Sequence, residues 1–340
     1  MKLGELATFL NVSPSSVSIV RQGKPGVSPT TRRRIQQAME EYGYTYIPYE
    51  SHNHVTEQQD NAQPRCIRLL KYYRSGLLAN KNEGFVDVIV DAIDTIARAE
   101  DYMLIFNSVS CDDYKHFLDD FNESNCLGML VIGTEMGHAE LDMLRNLHVP
   151  VVVLDCDHPA LPVTSVTMNN RDLAYEAVRK LKDFGEVGYL CSNIRTGNFT
   201  ARGNGYQEAV NDFQLPKNPD LLFHLTPSLH NACEEMLHFL ASKRHIPKAF
   251  FADNDVIAIG VMRALQLHGY NIPQDVNIIG VDNTMLAQVS SPALSSFQIA
   301  CSTLGQQAIQ LLLSQIDKPF ADPVHVHIGS RLILRESTNL

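Results

Sequence analysis

Leu3, Leu6, Ala7 and Leu10 recur at the spacing of one helix face, after which the chain turns at Asn11-Val12. Ser13 follows as an N-cap, and Pro14 suits the first helical position, where an N–H would find no partner anyway. Val12 and Val17 are spaced for a hydrophobic staple across that cap. This second helix is expected to run to Gln22 and stop at Gly23. Ser28-Pro29 repeats the start signal, and a third helix is expected to bury Ile35, Ala38, Met39 and Tyr42 and to end at Gly43. A polar stretch from Pro48 to Arg65, with Val55 and Ala62 its only aliphatic residues, reads as a linker.

From Cys66 the pattern changes. Short apolar runs ("CIRLL", "YMLIF", "LGMLVIG", "VPVVVLD", "VGYLC", "KAFFAD", "VNIIGVD", "SSFQIA") alternate with amphipathic segments at 84–100, 112–123, 139–147, 171–184, 201–213, 229–242, 256–268 and 303–316. Strand–helix alternation on this scale implies parallel sheets covered by helices, and so many strands suit two α/β lobes better than one sheet. The expected architecture is thus a small all-α head followed by a two-lobed α/β body.

Composition sharpens this. The 340 residues are 44% hydrophobic and 19% charged, the balance of a globular protein. No apolar run approaches the roughly 20 residues of a membrane helix, and "MKLGELATFL" lacks the apolar core and cleavage site of a signal peptide. Seven scattered Cys without a CxxC pair read as reduced core thiols, which points to the cytoplasm. "HVH" at His325–His327 alternates as a strand does, and no metal site is expected. Residues 1–49 carry six basic against three acidic side chains, or +3, so the rest carries −13 of the formal −10. A basic head on an acidic body suits a nucleic-acid module joined to a body with another task.

Ligands of parallel sheets bind at the carboxyl ends of strands. Asp155, Asn254-Asp255 and Asp282-Asn283 all follow apolar runs. Carboxylates accept hydrogen bonds from hydroxyls and Arg donates a fork of them, a set suited to a polyhydroxylated ligand. Asn254 and Asp255 have a competing role as helix caps, and Asp255 is expected to be structural. Tyr72, Tyr73, Arg74 and Phe85 flank a long loop after the first strand, where aromatic faces could stack on sugar rings or simply pack the core. No GxGxxG follows a strand and no GxxxxGK[ST] is present. No nucleophile–base arrangement stands out, so neither a cofactor nor an enzyme is expected.

Together, "LGELATFLNVSPSSVS", "VSPTTRRRIQQAMEEYGYTYIP", "GMLVIG", "VPVVVLD", "ARGNGYQEAV", "FFADNDVIAIGVMRALQLHGYNIPQDVNIIGVDN", "SPALSSF" and "RLILREST" resemble the LacI/GalR family of sugar-responsive bacterial repressors. The resemblance implies a helix-turn-helix head over 1–47, a hinge over 48–65, and a periplasmic-binding-protein-like body over 66–340. It places the first lobe at about 66–157 plus 284–316, and the second at about 160–282 plus 318–340. It further implies a homodimer on operator DNA and a small polar effector contacted by Asp155, Arg202, Asn254 and Asp282, with Tyr73 a further candidate. The chain stops soon after "RLILRE", so a dimer rather than a tetramer is expected. An exported solute-binding protein for sugar uptake is the alternative; its discriminator is export.

The two DNA-contacting segments depart from the family pattern. At about 100° per residue, Ser15, Ser18, Ile19 and Gln22 share the groove-facing side, with Ser16 at its edge. Many relatives carry Arg at the Ile19 position; here Ile19 could meet a thymine methyl and Gln22 an adenine. Phosphate contacts would fall to Arg21, Lys24 and members of the Arg32–Arg34 run, of which Arg32 is a candidate. The hinge lacks the usual Leu and carries Glu50 and Glu57, so no minor-groove wedge is expected.

Overall fold

In a computed structural model of the chain, the residues described are 6–7, 9–10, 12–21, 27, 29–42, 65–76, 78, 83–319 and 322–340. They fall in two compact units, 1–62 and 63–340.

In the first unit, helices α1 (Pro14–Arg21) and α2 (Pro29–Glu41) pack with helical Leu6 and Ala7. Ser13 Oγ accepts the Ser16 N–H at 3.1 Å, satisfying one of the free donors of the first turn. Leu6, Ala7, Val17, Val20, Ile35, Ala38 and Met39 form the core, and Val12 packs against it. Tyr42 departs from expectation. It is 45% exposed, with its ring edge-on to Phe9 at 6.0 Å. It lies one residue past the end of α2, so the helical periodicity no longer directs it inward. Gln22, Lys24, Gly43 and the linker at 48–64 lie outside the described residues.

The second unit contains two six-stranded sheets among the described residues. The first is ordered β11-β5-β4-β3-β1-β2, with β1 Cys66–Tyr73, β2 Met103–Ser110, β3 Met129–Ile132, β4 Val151–Leu154, β5 Thr164–Met168 and β11 His325–Ile328. The second is ordered β12-β10-β9-β8-β6-β7, with β6 Val187–Ser192, β7 Leu222–Leu225, β8 Ala249–Ala252, β9 Asn277–Asp282, β10 Ser295–Gln298 and β12 Arg331–Ile333. All neighbours are parallel except β10 and β12. Strands β3, β4 and β8 are buried along their whole length, which is why their sequences read as unbroken apolar runs.

The helices between them are α3 Glu83–Ala99, α4 Tyr114–Asn122, α5 His138–Met143, α6 Asn170–Leu181, α7 Gly197–Asp212, α8 Leu229–Ala241, α9 Asp255–Leu267, α10 Met285–Val289 and α11 Cys301–Asp317. Helix α11 covers the first sheet: Leu304, Ala308, Ile309 and Leu312 join Ile67, Leu69, Ile89 and Val152 in one core.

The division between lobes corrects the expected one. Strand β5 pairs with β4 and β11 pairs with β5, so residues 164–168 and 325–328 belong to the first lobe. Strand β10 pairs with β9, so residues 295–298 belong to the second. The chain crosses between lobes at 169, 299–300 and 329–330. The physical reason is that a strand joins whichever sheet edge it can pair with, and apolarity alone does not say which edge that is. Backbone packing is tightest beside the first crossing. A Cβ on Gly205 of α7 would meet the Arg171 carbonyl oxygen at 2.0 Å, and one on Gly197 would meet the Asp157 carbonyl oxygen at 2.3 Å.

Candidate functional site

The carboxyl ends of both sheets border one cleft of about 1320 Å³. Asp155 follows β4, Asp282 ends β9, Asn254 follows β8, and Arg202 projects from α7. All four line the cleft. Asp155, Asp282 and Asn283 have φ of 53°, 113° and 52°, the left-handed region that side chains other than glycine enter at a cost of order 1–3 kcal/mol each. Two hydrogen bonds hold Asp155: Thr134 Oγ1 donates to Oδ2 at 2.6 Å and Asn198 Nδ2 to Oδ1 at 3.0 Å. Asn283 is held through its N–H, which donates to Ser296 Oγ at 3.0 Å, and through Oδ1, which accepts from Arg335 Nη2 at 2.6 Å.

Arg202 is buried and partly committed. Its Nε donates to Asn170 Oδ1 at 2.9 Å and its Nη1 donates to the Asp253 carbonyl. Its guanidinium carbon lies 5.5 Å from the centre of the Phe199 ring. Asn198, one helical turn before Arg202, also accepts the Asp157 N–H at 2.9 Å. Asp155, Asp157, Asn170, Asn198 and Arg202 thus form one network that joins the end of the first sheet to α7.

Beneath the cleft lie two more carboxylates. Asp253 accepts the Ser192 N–H at 2.6 Å and the Tyr189 hydroxyl. The Tyr189 ring is itself stacked between Tyr206 and Phe251 at 4.9 and 5.4 Å. Asp255 accepts the Thr284 N–H at 2.7 Å, its hydroxyl at 3.0 Å and Ser296 Oγ at 2.5 Å. This satisfied carboxylate holds the start of α10 against β10, as its expected structural role requires. Asn254 caps α9 by accepting the Ile257 N–H at 2.9 Å, and it also faces the cleft.

Burial pushes the carboxyls of Asp155, Asp253 and Asp255 up to about 6, against the hydrogen bonds that favour their charged forms. Loss of solvent also raises Asp282 well above the ordinary carboxylate range. Arg202 opposes that rise, while Asp255, Asp155 and Asp253 add to it. No described group donates a hydrogen bond to the Asp282 side chain.

Tyr73 does not line the cleft, in contrast to the sequence expectation. Alternation along β1 sends Tyr72 into the core, edge-on to Tyr114 at 5.2 Å, and Tyr73 to the opposite face. Glu135 holds the backbone just after Tyr73, accepting the N–H groups of Arg74 and Ser75 at 3.0 and 2.6 Å. Leu78 and Phe85 reach the cleft instead. Thr134, Thr196 and Asn198 also line it and were not singled out in the sequence. Asn198 carried a usable signal, its one-turn spacing from Arg202.

On α1, Ser15 and Ser18 are exposed, Ser16 and Ile19 half-buried, and Val17 and Val20 buried. Ser13 Oγ shares hydrogen bonds with the hydroxyls of Ser15 and Ser16 at 2.8 and 2.9 Å. Arg21 is exposed in the last turn. On α2, Arg33 and Arg34 are exposed but Arg32 is only 7% exposed. This corrects Arg32 as a candidate phosphate contact: it lies three residues before Ile35, on the inward side of the helix.

Among the described residues no helix is long and apolar enough to cross a membrane, and no three His, Cys, Asp or Glu side chains are grouped to hold a metal ion.

Comparison with known proteins agrees with this organisation. Residues 2–46 match the lacI family of bacterial regulatory proteins, and residues 182–338 match the periplasmic binding protein-like domain. The HTH-type transcriptional repressor PurR of Shigella dysenteriae serotype 1 is 26% identical over 343 residues, covering 98% of this chain and 95% of PurR. Two solved structures share the fold over 99% of both chains at a TM-score of 0.71. One is the transcriptional regulator CelR in complex with cellobiose, 19% identical. The other is the lac repressor dimer bound to operator and the anti-inducer ONPF, 20% identical. The relatives are regulators of transcription rather than enzymes. The chain thus joins a lacI-family head at one end to a periplasmic binding protein-like body at the other, the organisation expected of a transcription regulator like its relatives.

Proposed function

We propose that this regulator is a sequence-specific repressor that binds operator DNA as a homodimer and is controlled by a sugar or sugar derivative bound between its lobes. The observation that carries the effector reading is the convergence of Asp155, Arg202, Asn254 and Asp282 on one cleft, with the Asp282 carboxylate open to a donor from outside. The bound cellobiose of CelR supports the same ligand class. Ser15, Ser18, Ile19 and Gln22 read bases, with Ser16 at the edge of that surface, while Arg21 and Lys24 hold phosphates. Ligand binding shifts the dimer between arrangements that space the two heads well or badly for the half-sites of an operator.

Two measurements test this. A thermal-shift panel of free sugars is expected to contain a member that stabilises the chain, and Asp282→Asn is expected to abolish that shift. Duplex DNA selected from a random pool by the full-length chain is expected to show two related half-sites, with that sugar changing the affinity. Ser15 and Gln22 substitutions that weakened binding equally on every DNA sequence would remove those residues as base readers.

A further inference from the structure

Two cysteines far apart in the chain meet at the start of the first sheet. Cys66 opens β1, and Cys126 lies just before β3. The two strands are parallel neighbours with Arg68 opposite Met129, so the same register carried back sets Cys66 opposite Leu127. The Leu127 N–H indeed donates to the Cys66 carbonyl at 2.8 Å. On the other side of Cys126, the Asn125 carbonyl accepts the Cys66 thiol at 3.7 Å. Cys66 therefore touches both chain neighbours of Cys126. The two side chains also share one face of the sheet, in the core that holds Leu70, Tyr72, Met129 and Val131. Paired strands lie about 4.8 Å apart and one residue advances about 3.3 Å, so the two Cα atoms are roughly 6 Å apart. Disulfides span about 4.4–6.8 Å between Cα atoms. Burial pushes the Cys66 thiol up, the adjoining Cys126 thiol adds to that rise, and the charge of Arg68 opposes it.

We propose that Cys66 and Cys126 are a reversible dithiol–disulfide pair, oxidised in the folded chain by hydrogen peroxide. Cys66 is 9% exposed and Cys126 5%, so the oxidant that reaches them is a compact one, and Cys66 meets it first. The Cys66 sulfur attacks one peroxide oxygen. An S–O bond forms as the O–O bond breaks, and the departing hydroxide leaves as water with the thiol proton. The Cys126 sulfur then attacks the Cys66 sulfenic sulfur. The S–S bond forms as the S–O bond breaks, and the hydroxyl leaves as a second water with the Cys126 proton. The two thiols lose two electrons and the peroxide gains them. The bond closes a loop of about 60 residues, which limits the freedom of the unfolded chain. It also ties down the point where the chain enters the first sheet, beside the Arg65 carbonyl that accepts the Met103 N–H at 2.8 Å.

The test treats the reduced, folded full-length chain with excess hydrogen peroxide, then unfolds it into N-ethylmaleimide and maps its peptides by mass spectrometry without reductant. The expected product is a linked peptide pair joining Cys66 to Cys126, lighter by two hydrogens than the two thiol peptides and separated by dithiothreitol. The oxidised chain is expected to keep its circular dichroism and to melt at least about 3 °C higher than the reduced chain, a gain that dithiothreitol removes. In Cys126→Ser the resolving thiol is gone, so dimedone is expected to trap Cys66 as the sulfenic acid, and the gain in melting temperature is lost. The map of the parent chain decides the matter even where that variant folds poorly. Cys66 and Cys126 recovered as separate thiols or sulfinic acids overturn the proposal, as does Cys66 linked to any other cysteine. A Cys66–Cys126 link that appears only as the circular dichroism is lost overturns it too, because the pair then forms in the unfolded chain.

Discussion

Arg202→Met removes the guanidinium but keeps much of the buried stem. Two acceptors lose their donors, Asn170 Oδ1 and the Asp253 carbonyl. Leaving a buried acceptor unpaired costs about 1–3 kcal/mol. The carboxylates of Asp155, Asp253 and Asp282 also lose a cation that favours their charged forms. Breaking a buried charge arrangement by deleting one partner costs about 3–5 kcal/mol, and the two effects overlap, so about 3–5 kcal/mol is expected in all near neutral pH. Urea unfolding followed by circular dichroism measures it. The pH dependence follows from the direction of the carboxyl shifts. Asp155 and Asp253 sit at about 6 in the folded chain against 3.8 for an ordinary Asp, so the folded state holds extra protons between those values. Stability of the parent protein therefore rises as pH falls from about 6 toward about 4. Without Arg202 the same carboxyls move higher still, and protonation relieves the variant more than the parent. The deficit is expected to shrink on going from about pH 8 to about pH 5. A deficit under about 1 kcal/mol near neutral pH, or one constant across that range, refutes the role given to Arg202.

Other perturbations separate the two units and the parts of the cleft. Met39→Ala empties a fully buried position in the small head and should cost about 2–5 kcal/mol there. Operator affinity in an anisotropy assay should collapse while effector affinity stays within about twofold. Gly205→Ala places a methyl where the Arg171 carbonyl oxygen lies 2.0 Å away, so α7 must shift. A loss of about 1–3 kcal/mol is expected in the same urea assay, with weaker effector binding because Arg202 moves with the helix. Asp255→Ala leaves the Thr284 N–H and hydroxyl and the Ser296 hydroxyl without their acceptor, and is expected to lower the melting temperature even without ligand. Burial, reinforced by nearby carboxylates, pushes the Cys156, Cys191 and Cys301 thiols up to about 12. All three are expected to resist iodoacetamide near neutral pH until the chain is unfolded, as read by mass spectrometry.

Patterns that repeat locally were the ones legible in the sequence. The capping signal Ser13-Pro14 and the inward Val17 and Val20 follow from spacing within one turn, and α1 shows both. Fully buried strands such as β4 and β8 announce themselves as apolar runs. Strand β5, "TSVTM", is buried throughout yet half polar, because Thr164 Oγ1 accepts from Gln315 Nε2 at 2.6 Å and Ser165 Oγ pairs with His325. Those partners are about 150 residues away, so nothing nearby in the chain signals them. The same holds in the cleft. Asp155 and Asp282 were legible because strand ends collect ligand groups. Tyr73 misled because the backbone just after it is held by Glu135, which is distant in sequence.

The three crossings between lobes also set an order of assembly on the ribosome. The first lobe needs α11 to cover its sheet and β11 to pair with β5, and both come from the far end of the chain. At typical synthesis rates the chain from β5 to β11 takes roughly ten to thirty seconds to emerge. During that interval the first sheet has an open edge at β5 and an apolar face, around Val152, that lacks the cover of Leu304, Ala308, Ile309 and Leu312. The second lobe waits in turn for β12. A ribosome stalled before residue 301 therefore holds no finished lobe, and holdase chaperones should crosslink to the apolar face of the nascent first lobe until α11 has emerged.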